Sequence, residues 1–138
     1  MWTIDASKGQ YLWRNNIEKV ALIRNGLPFD TIEAIGNKAN MPVSQILRYL
    51  GIPQTTYNKK KRDNDFLRGR DSELIMSLSE VLDYGLAVFN HEKDKFQRWL
   101  NNSNASLGDV SPESLFDSIT GIQEVRNALN RLEYGNLA

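Results

Sequence analysis

The stretch VSQILRYLGIPQTTYNKKKR, residues 43–62, constrains this chain more than any other. Val43, Ile46, Leu47 and Leu50 recur at three- and four-residue steps, the spacing of one apolar helical face. Gly51 and Pro53 then end that helix, because glycine accepts the left-handed cap and proline cannot continue the ladder. A polar segment follows with Gln54, Thr55, Thr56 and Asn58, and it closes on Lys59, Lys60, Lys61 and Arg62. One helix packs inward, a glycine turns the chain, and a second helix offers polar and cationic groups outward. That is the pattern of a helix-turn-helix.

In such a unit the second helix enters the major groove with its first residues nearest the base edges. Gln54, Thr55, Thr56 and Asn58 are therefore the candidate readers, since Gln and Asn pair with adenine and Thr meets a thymine methyl. Lys59, Lys60, Lys61 and Arg62 are the candidate phosphate contacts, which supply affinity and salt dependence but little sequence information. Tyr57 is expected to turn inward. The competing reading of the basic run is a solvated helix end.

The formal net charge of zero conceals a division. Residues 1–70 hold 12 Lys and Arg against 6 Asp and Glu, whereas residues 71–138 hold 5 against 11. A basic half and an acidic half suit two different partners. There is no cysteine, hence no disulfide and no thiolate metal site. No apolar run approaches the roughly 18 residues of a membrane span. The N-terminus lacks a signal-peptide pattern. A cytoplasmic protein without membrane contact is expected.

Helical periodicity runs through the rest. Trp13, Ile17, Val20, Ala21 and Ile23 suggest a first helix, closed near Gly26 and Pro28. Asp30 or Thr31 can cap a second, with Ile32 and Ile35 inward. Residues 62–70 are polar and read as a loop or hinge. Leu74, Ile75, Leu78, Val81, Leu82, Leu86 and Phe89 mark one face of a long helix. Phe96, Trp99 and Leu100 mark a shorter one. Ser111-Pro112-Glu113 opens another, and Thr120 with Gln123 fits a capping box for the last. No segment alternates with period two between hairpin turns, so no strand is expected. The expected fold class is all-α: a helix-turn-helix bundle over residues 1–66 and an α-helical domain over residues 67–138.

Catalysis finds little support. His91 stands alone at a helix start, and carboxylate pairs such as Asp63/Asp65 lie in charged, wet segments where no raised pKa is expected. No phosphate-cradling glycine motif or nucleophile elbow occurs. Neither enzyme activity, nor a cofactor, nor a metal site is expected.

In this order and spacing the residues resemble the Xre/MbcA/ParS-type antitoxins, from about Ile17 onward. The resemblance rests on Gly26-Leu27-Pro28, Leu50-Gly51-Ile52-Pro53 with Thr56 and the basic run, Glu73, and the helix ending Ala87-Val88-Phe89. It continues through Arg98-Trp99-Leu100, Asn104, Leu107-Gly108, Pro112, Leu115, Gly121, Val125, and Arg131-Leu132-Glu133-Tyr134-Gly135. It implies a Xre-like helix-turn-helix joined to a C-terminal toxin-binding domain. It further implies neutralisation of a RES-domain toxin that depletes NAD, and repression of the chain's own operon at promoter DNA. Arg131, Glu133, Tyr134, Gly135, Asn136 and Leu137 are the toxin-binding positions it implies, with residues 104–109 as a weaker candidate. The segment Asn104-Ala105-Ser106 lacks the proline often found after the asparagine, and Ser118 stands where threonine is common. Symmetric operators favour a dimer, so a homodimer within a larger toxin–antitoxin complex is expected. A stand-alone repressor with a C-terminal dimerisation domain is the alternative.

Overall fold

A computed structural model of the chain describes residues 1–135. Two strands come first, β1 (Trp2–Ala6) and β2 (Gly9–Trp13), followed by seven helices. These are α1 (Asn16–Asn25), α2 (Thr31–Ala39), α3 (Val43–Leu50), α4 (Gln54–Arg62), α5 (Gly69–Val88), α6 (Lys93–Asn101) and α7 (Ile119–Gly135). Short 3-10 turns at Ala105–Leu107 and Pro112–Leu115 lie between α6 and α7. The chain forms two compact units, Met1–Ser79 and Glu80–Ala138, and the division falls within α5.

The hairpin was not expected from the sequence. Its antiparallel register runs from Trp2 opposite Trp13 to Ala6 opposite Gly9. Ser7-Lys8 at its tip is not the Asn-Gly or Gly-first pair that announces a two-residue turn. An isolated hairpin is marginal in water, so tertiary anchors must hold it. Ile4 and Trp13 are buried. The Ser7 hydroxyl donates to Asp30 Oδ2 at 3.0 Å, and Lys38 Nζ donates to the Thr3 carbonyl at 3.1 Å. Trp13 thus ends a strand rather than starting the first helix. That helix begins at Asn16, where the Asn15 side chain accepts from the Glu18 N–H at 2.9 Å.

In the first unit, Ile32, Ile35, Ile46 and Ile75 are fully buried, each contributing about 1.5–3 kcal/mol through the apolar area removed from water. Neither Asp30 nor Thr31 caps α2 with its side chain: Asp30 is engaged by Ser7, and the Thr31 hydroxyl donates to the Pro28 carbonyl at 2.7 Å. The loop of residues 63–68 is pinned to the α1–α2 connection. The Leu67 N–H donates to the Leu27 carbonyl at 2.7 Å, and the Leu27 N–H donates to Ser72 Oγ at 2.9 Å. Gly26 is required there. Its φ is +79°, and a Cβ would lie 2.6 Å from the Leu67 carbonyl oxygen. The predicted apolar face of α5 is present, yet the helix is buried more completely than one stripe requires. From Ser72 to Ser79 only Glu73 escapes burial. The buried serines take part in bonding: Ser77 accepts from Lys19 Nζ at 3.1 Å and Ser79 from Lys38 Nζ at 2.6 Å.

In the second unit Phe96 is buried against Phe89 and Trp99, with ring centroids 5.5 and 6.3 Å away. The face of α7 toward this core is Gly121, Ile122, Val125, Ala128 and Leu129. Its cap is Ser118, whose hydroxyl accepts from the Gly121 N–H at 2.9 Å, and not the expected Thr120. Ser118 therefore offers the oxygen that a threonine would offer. The helix expected to open at Ser111-Pro112-Glu113 is only a 3-10 turn, Pro112–Leu115, and Gly121 packs so close to it that a Cβ there would overlap the Leu115 carbonyl.

Candidate functional site

The helix-turn-helix expected over residues 43–62 is formed by α3 and α4. Ile46, Leu47, Tyr49 and Leu50 are the buried residues of α3. Gly51 takes the left-handed conformation at φ 69°, and the following Ile52 N–H returns to the Leu47 carbonyl at 3.0 Å. This double closure fixes the angle at which the chain leaves α3. Pro53 then precedes the first residue of α4. Tyr57 is the one buried residue of α4, as expected, at 5% exposure.

Burying Tyr57 sets the roles of its neighbours. At 100° per residue, the direction opposite Tyr57 is shared by Thr55, Lys59 and Arg62, and all three are exposed. Gln54 and Asn58 lie beside them and join each other, Gln54 Nε2 donating to Asn58 Oδ1 at 3.0 Å. Thr56 and Lys60 occupy one flank, and Lys61 the other. Seven of the eight predicted DNA-facing residues thus share the solvent side or its margin, and Lys61 leans back toward α2.

The four cations are not equivalent. Lys60 Nζ pairs with Asp65 Oδ2 at 3.1 Å, and Lys61 Nζ pairs with Glu33 Oε2 at 2.6 Å. Lys61 also lies over the Tyr57 ring, 5.8 Å from its centroid. Its hydrogen bond to Glu33 raises the Lys61 pKa despite some desolvation. The Phe66 N–H, followed by Lys60, lowers the pKa of Asp65. Burial, first, raises that of the Tyr57 phenol. Lys59 and Arg62 meet no partner among the described residues. The sequence shows four adjacent cations, and the fold leaves two of them unpaired.

A groove of about 490 Å³ borders the Thr56–Lys60 flank. Its walls include residues 51–53 and, beyond them, Arg68 and Arg70. Sequence reasoning placed these arginines in a loop or hinge. Only the folding back of residues 63–68 brings them beside α4.

In the second unit α7 continues to Gly135, so Arg131, Glu133, Tyr134 and Gly135 are helical rather than a glycine-broken tail. Asn136 and Leu137 lie outside the described residues. Tyr134 is 60% exposed. Its hydrogen bond with Glu133 raises its phenol pKa. Arg131 is exposed and donates to Ser106 Oγ at 3.4 Å, which brings the end of α7 to the 104–109 loop. Within that loop Asn104 Oδ1 accepts from the Ser106 N–H and hydroxyl at 2.9 and 2.7 Å. Tyr84, which sequence reasoning did not single out, adjoins the same end. Its hydroxyl accepts from Asn130 Nδ2 at 3.3 Å, and Arg126 lies over its ring at 5.2 Å. No sequence signal marked this pairing, because α5 and α7 are far apart in the chain. No group of three or more His, Asp or Glu residues able to hold a metal ion occurs among the described residues. None of the described helices is long and apolar enough to cross a membrane.

Comparison with known proteins matches both units. Residues 18–78 match the antitoxin Xre-like helix-turn-helix domain, and residues 85–135 match the antitoxin Xre/MbcA/ParS C-terminal toxin-binding domain. The chain is similar to an antitoxin Xre of Yersinia enterocolitica, 31% identical over 94% of this chain and 93% of that protein. It is similar to an antitoxin Xre of Photorhabdus laumondii, 30% identical over 83% and 78%. A Sphingobium protein named Prs ADP-ribosylating antitoxin is 23% identical over 88% and 82%. The hairpin precedes the matched helix-turn-helix, while α3, α4, the 104–109 loop and α7 fall within the matched segments. The chain belongs to the Xre antitoxin family, with a Xre-like helix-turn-helix followed by a Xre/MbcA/ParS C-terminal toxin-binding domain.

Proposed function

We infer that this antitoxin neutralises a RES-domain, NAD-depleting toxin through its C-terminal unit and represses its own operon through α4. The observation that carries the reading is the tandem match, a toxin-binding domain directly after a helix-turn-helix. Its support in the second unit is the exposed end of α7, where Arg131 reaches Ser106 of the 104–109 loop and Tyr134 lies open to solvent. Glu133, Gly135, Asn136 and Leu137 complete the proposed toxin-binding stretch. Its support in the first unit is the solvent face of α4, polar at Gln54, Thr55 and Asn58 and cationic at Lys59 and Arg62. The role is regulatory and not catalytic. A homodimer would present two α4 helices to a symmetric operator.

The name of the Sphingobium relative supports a second partner chemistry, ADP-ribosylation. Both toxin chemistries consume NAD, so the loss of NAD alone does not separate them.

The test is expression of the adjacent open reading frame with and without this chain. Alone, the neighbour is expected to stop growth and lower cellular NAD. Together, the two are expected to co-elute and growth to recover. ADP-ribosylation would instead appear as a mass increase on a host protein. A harmless neighbour that does not bind would overturn the antitoxin reading and leave a repressor with a dimerisation domain. Removing the residues after Leu132 is expected to weaken neutralisation and spare DNA binding.

A further inference from the structure

On the reading that α4 meets DNA, the geometry points to a second phosphate-backbone contact beside that helix, made by Arg68 and Arg70. Both line the groove of about 490 Å³ bounded by residues 51–53 and by Thr56 and Lys60 of α4. Both arginines are exposed, and neither guanidinium has a hydrogen-bond or ion-pair partner among the described residues. A guanidinium presents planar paired donors that match two phosphate oxygens. The neighbouring Lys60 is already held by Asp65, so the unpaired charge of the groove resides on the arginines. Asp71 is the opposing charge on the same wall.

Position argues for backbone rather than bases. The major groove is about 12 Å wide, and a helix with its side chains is about 10–12 Å across. A helix inserted there has sugar-phosphate strands along its flanks. The Thr56–Lys60 flank is the one that faces Arg68 and Arg70. These arginines therefore hold the register of the duplex and read no sequence. Their backbone positions are also set before DNA arrives. The Leu67–Leu27 and Leu27–Ser72 hydrogen bonds, with Gly26 beneath, fix the loop on one side of Arg68 and the first turn of α5 on the other.

The experiment uses the full chain with duplex DNA from immediately upstream of its gene, and a scrambled duplex of equal length, across a range of salt concentrations. The Arg68→Ala/Arg70→Ala variant is expected to flatten the slope of log K against log salt by about two units. It is expected to weaken both duplexes by the same factor and to keep the wild-type melting temperature. Arg68→Lys/Arg70→Lys is expected to restore most of the slope. An unchanged slope in the alanine variant, with a flattened one in Lys59→Ala/Arg62→Ala, would overturn these two residues and leave the helix-turn-helix reading intact. Failure of the wild type to bind either duplex would overturn both. Loss of preference for the upstream duplex would replace the phosphate assignment with base contact.

Discussion

The helices α4 and α7 each turn a polar face to solvent, but they are held in opposite ways. The nine-residue α4 buries Tyr57 alone, whereas the seventeen-residue α7 buries Gly121, Ile122, Val125, Ala128 and Leu129. A nine-residue helix is too short to persist on its own propensity in water. Its position depends on one aromatic anchor, the Gly51 turn and two lysine–carboxylate pairs. The longer α7 has a continuous apolar face, so its last turn can project Arg131 and Tyr134 without help from its own charges. The unit around α4 neutralises two of its cations with carboxylates, whereas the polar contacts of α7 at Asn130 and Arg131 are to the uncharged Tyr84 and Ser106.

The comparison breaks most readily at the anchors. Tyr57→Ala is expected to cost about 3–5 kcal/mol, the range for losing a large buried aromatic, and Leu129→Ala about 2–5 kcal/mol. Denaturant unfolding measures both. The first is expected to abolish DNA binding and keep toxin binding, and the second to do the reverse. If both activities fell together in either variant, the two units would not be independent in function.

The exposed end of α7 gives the next largest effect. Tyr134→Ala is expected to weaken toxin binding roughly thirtyfold, as for an interface hot spot. Its melting temperature should match the wild type, since the ring is largely in solvent. Calorimetric titration against the purified toxin checks this, and an unchanged affinity would move the contact elsewhere.

On α4 the effects are smaller and unequal. Lys59→Ala is expected to lower the salt slope of DNA binding by about one unit, the share of one phosphate contact. Lys61→Ala is expected to lower it by less than half as much, because Lys61 spends its charge on Glu33. Equal slopes would show that the Glu33 pair opens when DNA binds.

The smallest effect concerns pH. The carboxyl of Asp65 titrates below its ordinary range, so its stabilising contribution is complete above the unfolded value and fades as pH falls through the lowered folded value. The Lys60–Asp65 pair should therefore persist throughout neutral pH and open only in strong acid. Hydrogen exchange at the Phe66 amide, which donates to Asp65 Oδ1 at 2.9 Å, reports that opening. Faster exchange already at pH 6 would contradict it.

The helical register was readable because burial on one face leaves a period in the sequence. Ile32, Ile35, Ile46, Leu47, Tyr57 and the α5 stripe were all legible in this way, and all but Phe89 of the stripe are buried. Misreadings fall where a distant residue decides. Ile17 looked like part of an ordinary amphipathic helix, yet it is 80% exposed, because no residue of α1 is buried. The hairpin had no turn signal, and its stability comes from Ser7–Asp30 and Lys38–Thr3, which span 23 and 35 residues. The end of α7 read as a tail because Gly135 marked a break, whereas the helix continues to that glycine.

By itself, the sequence determined a helix-turn-helix at residues 43–62, a long apolar-faced helix after it, and a basic half followed by an acidic one. These are local properties, written in spacing and composition. Tertiary structure alone decided which cations remain available. Pairing Lys60 with Asp65 and Lys61 with Glu33 requires a folded loop and a neighbouring helix, and placing Arg68 and Arg70 beside Thr56 requires that same loop to turn back. Charge is inherited from the residue, but its availability depends on which opposite charge the fold sets within about 4 Å of it.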